Sequence, residues 1–328
     1  MLAYIDIENL SSFVRSSKKE KFADCCRMLK QFDIIFNFPK DRIQEDKDIK
    51  EWITTITDGA RGTISFQDNC VFPPRPLKSY THKRFSIEQL SAIYLINDER
   101  IDSMMSLGII MYAGVGSEVE TLATLLKGED YVFDIELPIQ TQRFQNWEDV
   151  INGQTTPTTD IIIQDRYILC DDSLYEPNLY ALIGQLCQKV QNASVNIIIS
   201  SLHSYIHNHY QYTPNWGAIR STIKSIVKRI TGQEPKVTFI LQRQMREHDR
   251  IIFTNYQYII SGDSFNYFDS QGRVVTGGDF LRIQSVARRD YFSNAMAFID
   301  RMQSTINTLK EKNPECIIFD KTSCYLKF

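Results

Sequence analysis

The residues best suited to chemistry lie between positions 248 and 266. His248 and Arg250 begin a short apolar run, and because side chains at alternate positions of a β-strand share a face, both would project together. An imidazole can attack phosphorus, and a guanidinium can neutralise phosphate oxygens. Polar side chains that could orient both follow this strand and the next. These residue types predict phosphodiester cleavage by a catalytic group made of His248, Arg250, Asn255, Ser264 and Asn266.

The second half of the chain alternates strand-like and helix-like patterns. This alternation predicts an α/β fold with a mostly parallel or mixed sheet covered by helices, and the short turn between the last two strands predicts an antiparallel hairpin. The predicted strands are 160–169, 195–200, 236–241, 250–254 and 258–261, and the predicted helices are 178–190, 214–230 and 286–312.

The first half alternates in the same way and is also expected to be α/β. A polar segment, 152–159, breaks both periodicities before an apolar run, so it predicts a junction between a domain of unknown role, 1–151, and a second domain, 152–328. A proline-rich stretch, 71–77, predicts a loop. The predicted strands are 2–7, 34–36 and 108–112, and the predicted helices are 19–32, 41–57 and one that follows the turn 114–117.

The motif region resembles the phospholipase D superfamily, whose half-site reads His-x-Lys-x-x-x-x-Asp and then Gly-Ser-x-Asn. Here the pattern runs from His248 through Arg250 to Asn255, and continues from Gly262 to Asn266 with one residue inserted. Arg250 stands where the motif has lysine. Its guanidinium keeps the positive charge but spreads it over a planar group. The resemblance covers about residues 159–285 and implies a phospholipase D-like sheet flanked by helices.

The resemblance implies an intracellular, metal-independent phosphodiesterase, interpreted as a nuclease of a bacterial defence or nucleic-acid-processing system. No cofactor and no metal ion are expected. Only one half-site is present, so an active form would pair two chains as a homodimer. The His-Asp-Arg form is also similar to a divergent domain at the C-terminus of MIT-domain proteins, which binds membranes without catalysis. The alternative is therefore an inactive module that binds nucleic acid, anionic lipid or a partner protein, the last through residues 1–151.

A third hypothesis is an interaction protein with no anion site. A buried, ion-paired Arg250 would indicate it. Two neighbouring features leave alternatives open as well. Asp165 could orient the site or form an ion pair with Arg166, and the ion pair is favoured. The histidines at 203, 207 and 209 could bind a metal or donate a proton, although a hydrogen-bonded loop is favoured because their spacing fits no standard ligand set.

Charge is unevenly distributed, although the formal net charge is only −3. Residues 214–250 hold eight basic residues against three acidic ones, so an anionic partner is expected there, with a solvated helix face as the alternative. Basic side chains at every fourth position of the helix 214–230 could follow a phosphate backbone. The predicted nucleic-acid-binding residues are Arg220, Lys224, Lys228, Arg243 and Arg246.

Composition points to a cytoplasmic protein. The seven cysteines are scattered without a Cys-x-x-Cys pair, which argues against a disulfide framework or a structural zinc site. No run of about 18 apolar residues is present, so membrane insertion is not expected. Acidic residues replace the basic start of a secretory signal.

The opening segment, 4–10, resembles the first strand of NYN/PIN-type ribonucleases, which place an aspartate at a strand end to hold magnesium. Asp6 has that position. Asp33 precedes its strand, however, and other carboxylates would have to follow later strands, so a structural role for Asp6 is favoured.

Overall fold

The structure is a computed structural model with an α/β fold. It describes residues 1–60, 62–67, 92–95, 110–112, 115–116, 118–127, 135–137, 144–151, 158–191, 193–203, 214–245, 250–275, 280–286 and 289–319. Two sheets are present in the described part of the chain. The proline-rich loop predicted at 71–77 lies outside it.

The first sheet is parallel, with the strand order β3-β2-β1-β4-β5. The predicted helix 41–57 is divided at Asp46, whose carboxylate accepts hydrogen bonds from the backbone N–H groups of Asp48 and Ile49 and so begins a new helix. The elements are β1 (Leu2–Ile5), α1 (Ile7–Arg15), α2 (Phe22–Leu29), β2 (Asp33–Phe36), a 3₁₀ turn (Lys40–Glu45), α3 (Lys47–Thr57), β3 (Ile64–Phe66), β4 (Ala92–Leu95), β5 (Ile110–Tyr112) and α4 (Glu118–Lys127).

The second sheet is mixed, with the order β13-β9-β8-β7-β10-β11-β12-β6. Strands β7, β8 and β9 are parallel, and the predicted antiparallel hairpin is confirmed by the pairing of Ile251 with Ile260. The elements are β6 (Ile135–Leu137), α5 (Trp147–Ile151), β7 (Asp160–Gln164), α6 (Ala181–Leu186), β8 (Asn196–Leu202), α7 (Trp216–Thr231), β9 (Lys236–Gln242), β10 (Ile251–Phe253), β11 (Gln257–Ser261), β12 (Leu281–Ser285), α8 (Arg289–Lys312) and β13 (Ile317–Ile318).

A π-helix, Tyr175–Tyr180, leads into α6 where a regular helix from 178 was predicted. Pro177 lies within it and has no backbone N–H, which disfavours the regular α-helical pattern. The buried Asn178 side chain donates to the carbonyl of Phe268 at 2.7 Å and accepts from its N–H at 2.9 Å. The π-helix therefore fixes the loop that follows β11.

The chain enters the second sheet before the predicted junction at 152–159. Strand β6 pairs with β12, and Trp147 of α5 stacks on Tyr267 with ring centroids 5.2 Å apart. Buried apolar residues from both sheets also form one continuous cluster. The division into 1–151 and 152–328 remains a prediction, but residues 135–137 pair with the second sheet and Trp147 packs against its loop. No helix in the described ranges has the length and apolar content needed to cross a membrane.

Candidate functional site

The topology brings three chain segments together at the carboxyl edge of β7. Strand β10 runs antiparallel to β7 and pairs Ile251 with Gln164, which places Arg250, just before β10, beside Asp165, just after β7. Strand β11 returns to the same edge, where Gly262 follows it. Ligand sites of α/β sheets are commonly found at this edge of the parallel strands. We call this group of residues, 165–167, 250 and 261–267, the Arg250 cluster.

Arg250 is held by protein acceptors. Its Nη1 donates to the carbonyl oxygen of Gly262 at 2.6 Å, and its Nη2 lies 3.6 Å from Oδ1 of Asp263. The side chain of Arg250 is 13% exposed, whereas that of Asp263 is 33% exposed. The Nε atom of Arg250 is buried and has no hydrogen-bond partner among the described residues. Arg250 is thus ion-paired and largely but not completely buried, close to the state that the interaction-protein hypothesis predicts.

Asp165 holds the other residues of the Arg250 cluster in place through three hydrogen bonds. It is fully buried; its Oδ1 accepts the N–H of Tyr167 at 2.8 Å, and its Oδ2 accepts the hydroxyl of Ser264 at 2.8 Å and the N–H of Phe265 at 2.7 Å. Burial raises the pKa of Asp165, opposed by these hydrogen bonds and by the charge of Arg250. Asp165 thus orients the site residues, which is one of the two interpretations of the sequence, and an ion pair with Arg166 stays a prediction.

Ser264 and Asn266 lie in the same cluster as Arg250. The Oγ of Ser264 accepts the N–H of Asn266 at 3.3 Å, and Nδ2 of Asn266 donates to the carbonyl of Tyr167 at 3.1 Å. The Oδ1 of Asn266 is buried, and no described residue donates a hydrogen bond to it. A buried acceptor here and a buried donor on Arg250 leave polar capacity unused within one cluster.

Asn255 does not join them, so its predicted catalytic role disagrees with its position. It lies at the opposite end of β10 and is completely buried. Its Oδ1 accepts the N–H groups of Thr159 at 2.8 Å and Asp160 at 3.1 Å, and its Nδ2 donates to Oγ1 of Thr159 at 3.3 Å. Asn255 therefore fixes the start of β7 and cannot touch a ligand at the Arg250 cluster.

Some predicted residues lie outside the described ranges. These include His248, the proposed nucleophile, and Arg246. Of the three clustered histidines only His203 is described, and it directly follows β8. The histidine interpretations therefore stay predictions.

The predicted nucleic-acid-binding residues that are described all have protein partners. The guanidinium of Arg220 lies 4.6 Å from the ring centroid of Phe319. The other residues form long ion pairs, at 3.5–3.8 Å, whose side chains are exposed except that of the partly buried Lys224; such pairs are weak, so a phosphate could displace the acidic partner. These pairs are Lys224 and Lys228 with Glu234, and Arg243 with Glu315.

Sequence reasoning missed a second polar group at the same edge of the sheet. Nε2 of Gln242 donates to Oε1 of Gln164 at 3.1 Å and to Oγ of Ser200 at 2.7 Å. These residues lie in β9, β7 and β8. A polar residue at or near the carboxyl end of each apolar strand was the available signal, because such ends meet at one edge in a parallel sheet.

In the first sheet, Asp6 lies at the carboxyl end of β1. Asn37, which follows β2, donates a hydrogen bond from its Nδ2 to Oδ1 of Asp6 at 2.7 Å. No group of three histidine, cysteine, aspartate or glutamate side chains suited to a metal ion occurs among the residues described. This contact agrees with a structural role for Asp6.

Comparison with protein-family models and with curated proteins finds no match to this chain. The phospholipase D-like interpretation therefore depends on the motif residues and on the geometry of the Arg250 cluster.

Proposed function

We propose that about residues 159–285 form a phospholipase D-like phosphodiesterase module that acts on nucleic acid. The observation that supports it is the convergence of Arg250, Ser264 and Asn266 on one polar edge of the sheet, in the chain order that the motif requires. A cation beside oriented hydroxyl and amide groups can stabilise the charge of a phosphate under attack.

In this mechanism the imidazole of His248 attacks phosphorus. A phosphorus–nitrogen bond forms as the bond to the leaving oxygen breaks, and Arg250 neutralises the non-bridging oxygens. A second imidazole protonates the leaving oxygen and then takes a proton from the water that hydrolyses the intermediate. The second imidazole comes from another copy of the chain, so the active form is a homodimer.

A second candidate function is an inactive module that binds a partner without cleavage. It is supported by the engagement of Arg250, whose Nη1 and Nη2 already face the carbonyl of Gly262 and the carboxylate of Asp263. In this case the motif residues stabilise the fold, and binding to nucleic acid weakens with salt only if phosphate contacts are made.

The deciding experiment measures cleavage of end-labelled single-stranded DNA, duplex DNA and RNA in EDTA. Wild type is expected to cleave at least one substrate, and His248→Ala is expected to lose about a thousandfold or more. His82→Ala is the matched control, because it replaces a histidine outside the residues that the resemblance covers, and it is expected to cleave. Equal rates in wild type and His248→Ala, or no cleavage by wild type of any substrate, contradict the enzyme. Analytical ultracentrifugation tests the dimer.

A further inference from the structure

The guanidinium of Arg250 has an incompletely used edge. In arginine, Nε and Nη2 lie on one side and present two parallel N–H groups, the arrangement that binds carboxylates and phosphates in a bidentate manner. In Arg250, Nε has no hydrogen-bond partner in the part of the chain that the structure describes, and Nη2 is 3.6 Å from Asp263, longer than a charged hydrogen bond of about 2.8 Å. Asp263 thus pairs with this edge without satisfying it.

Asp263 lies on the solvent side of the pair. Its side chain is more exposed than that of Arg250, and it is the residue inserted between Gly262 and Ser264 relative to the motif. Two contacts that do not need its charge help to hold it, because its N–H donates to Oγ of Ser261 at 3.1 Å and its Oδ1 accepts the N–H of Ser264 at 2.8 Å. An asparagine could keep both contacts.

We propose that Asp263 is an internal counter-anion that occupies the oxyanion position at Arg250 and excludes phosphate until it is displaced. This inference rests on the proposed function, because it takes Arg250 as the phosphate-binding group. The ligand class is a phosphate or phosphodiester oxyanion. Its oxygens would accept from Nε and Nη2 in place of the carboxylate, which would turn toward solvent. A carboxylate at this distance also repels the incoming anion.

The test is calorimetric titration with tungstate, a divalent oxyanion, of wild type and Asp263→Asn. The variant keeps the shape of the loop and removes the charge, so it is expected to bind tungstate about tenfold or more tightly than wild type. The double variant Arg250→Gln with Asp263→Asn is expected to lose that gain. Circular dichroism checks folding, and Asp263→Ser serves as a second variant without the charge.

Asp269→Asn is the matched control. Asp269 pairs with Arg273, an exposed arginine in the same loop region, with Nη2 2.6 Å from Oδ2. Its Oδ1 also accepts hydrogen bonds from the backbone N–H groups of Gln271 and Arg273. The side-chain oxygen of an asparagine can accept the same two hydrogen bonds. This variant removes the carboxylate charge that faces an arginine outside the Arg250 cluster. Tungstate affinity should therefore stay within about twofold of wild type.

The outcomes separate the inference from the proposed function. Equal tungstate affinity in wild type and Asp263→Asn, or an equal gain in Asp269→Asn, overturns the role of Asp263. If wild type still cleaves nucleic acid in that case, the proposed function stands. If neither protein binds tungstate and wild type does not cleave, both are wrong. A higher cleavage rate in Asp263→Asn, together with tighter tungstate binding, supports both.

Discussion

The two ends of strand β10 use polar side chains in opposite ways. At one end, Asn255 is completely buried, and both its oxygen and its nitrogen have partners at the start of β7. At the other end, Arg250 and Asn266 each keep a buried polar atom that makes no hydrogen bond within the described ranges, and Asp263 reaches solvent.

This difference separates stabilising residues from residues available for binding within one motif. Buried polar groups in folded proteins nearly always find partners, and unsatisfied ones concentrate where a ligand, water or chemistry uses them. At the Asn255 end, hydrogen bonds from the side chain connect the end of β10 with the start of β7. The Arg250 end retains capacity for a ligand. Substitutions at the two ends should therefore differ in what they change: stability at the first, binding at the second.

The largest effect on stability is expected for Asn255→Ala. Removing the side chain leaves the N–H groups of Thr159 and Asp160 buried without acceptors, so the free energy of unfolding should fall by about 2–4 kcal/mol. Urea denaturation followed by circular dichroism measures it. Asn307→Ala, on an exposed part of α8, is the control and should change stability by less than about 0.5 kcal/mol. Similar losses in both variants would contradict the structural role of Asn255.

An intermediate effect is expected for Asp165→Asn. The amide cannot accept hydrogen bonds from all three donors, so the free energy of unfolding should fall by about 1–3 kcal/mol.

The effect of this substitution should also depend on pH. Because burial raises the folded pKa of Asp165, the contribution of Asp165 to the free energy of unfolding is complete below the unfolded pKa of about 3.9 and declines as pH rises through the folded value. The difference between wild type and Asp165→Asn should therefore be largest near pH 4. Urea midpoints from pH 4 to pH 8 test this, and a difference that grows with pH would contradict it.

The sheet around the site could be predicted because its strands are apolar and separated by clear turns. The predicted strand 236–241 and the observed Lys236–Gln242 nearly coincide, and the predicted helix 214–230 matches Trp216–Thr231. Strands such as Ile135–Leu137 and Leu281–Ser285 were not predicted, because they are short and their place in the sheet is decided by pairing across the chain.

The candidate site could be predicted only in part. The predicted strand put Arg250 at its start, and the predicted hairpin brought Ser264 and Asn266 back to the same edge of the sheet. The pattern also put Asn255 after the strand, but it could not show that Asn255 is used by the backbone of β7, since spacing along a strand carries no information about the neighbouring strand. Nor could it show that Asp263 faces Arg250, because the loop conformation depends on long-range acceptors such as Asp165.

The smallest effect on stability is expected for Arg250→Lys. Lysine keeps a positive charge near Asp165 and can donate to the carbonyl of Gly262, so the free energy of unfolding should change by about 1 kcal/mol or less. Binding should respond more strongly, since an ammonium lacks the two parallel donors of the guanidinium. In the Asp263→Asn background, tungstate affinity should fall about tenfold when Arg250 becomes lysine. If Arg250→Lys unfolds as readily as Asn255→Ala, the guanidinium is a structural group, and the two ends of β10 have the same role.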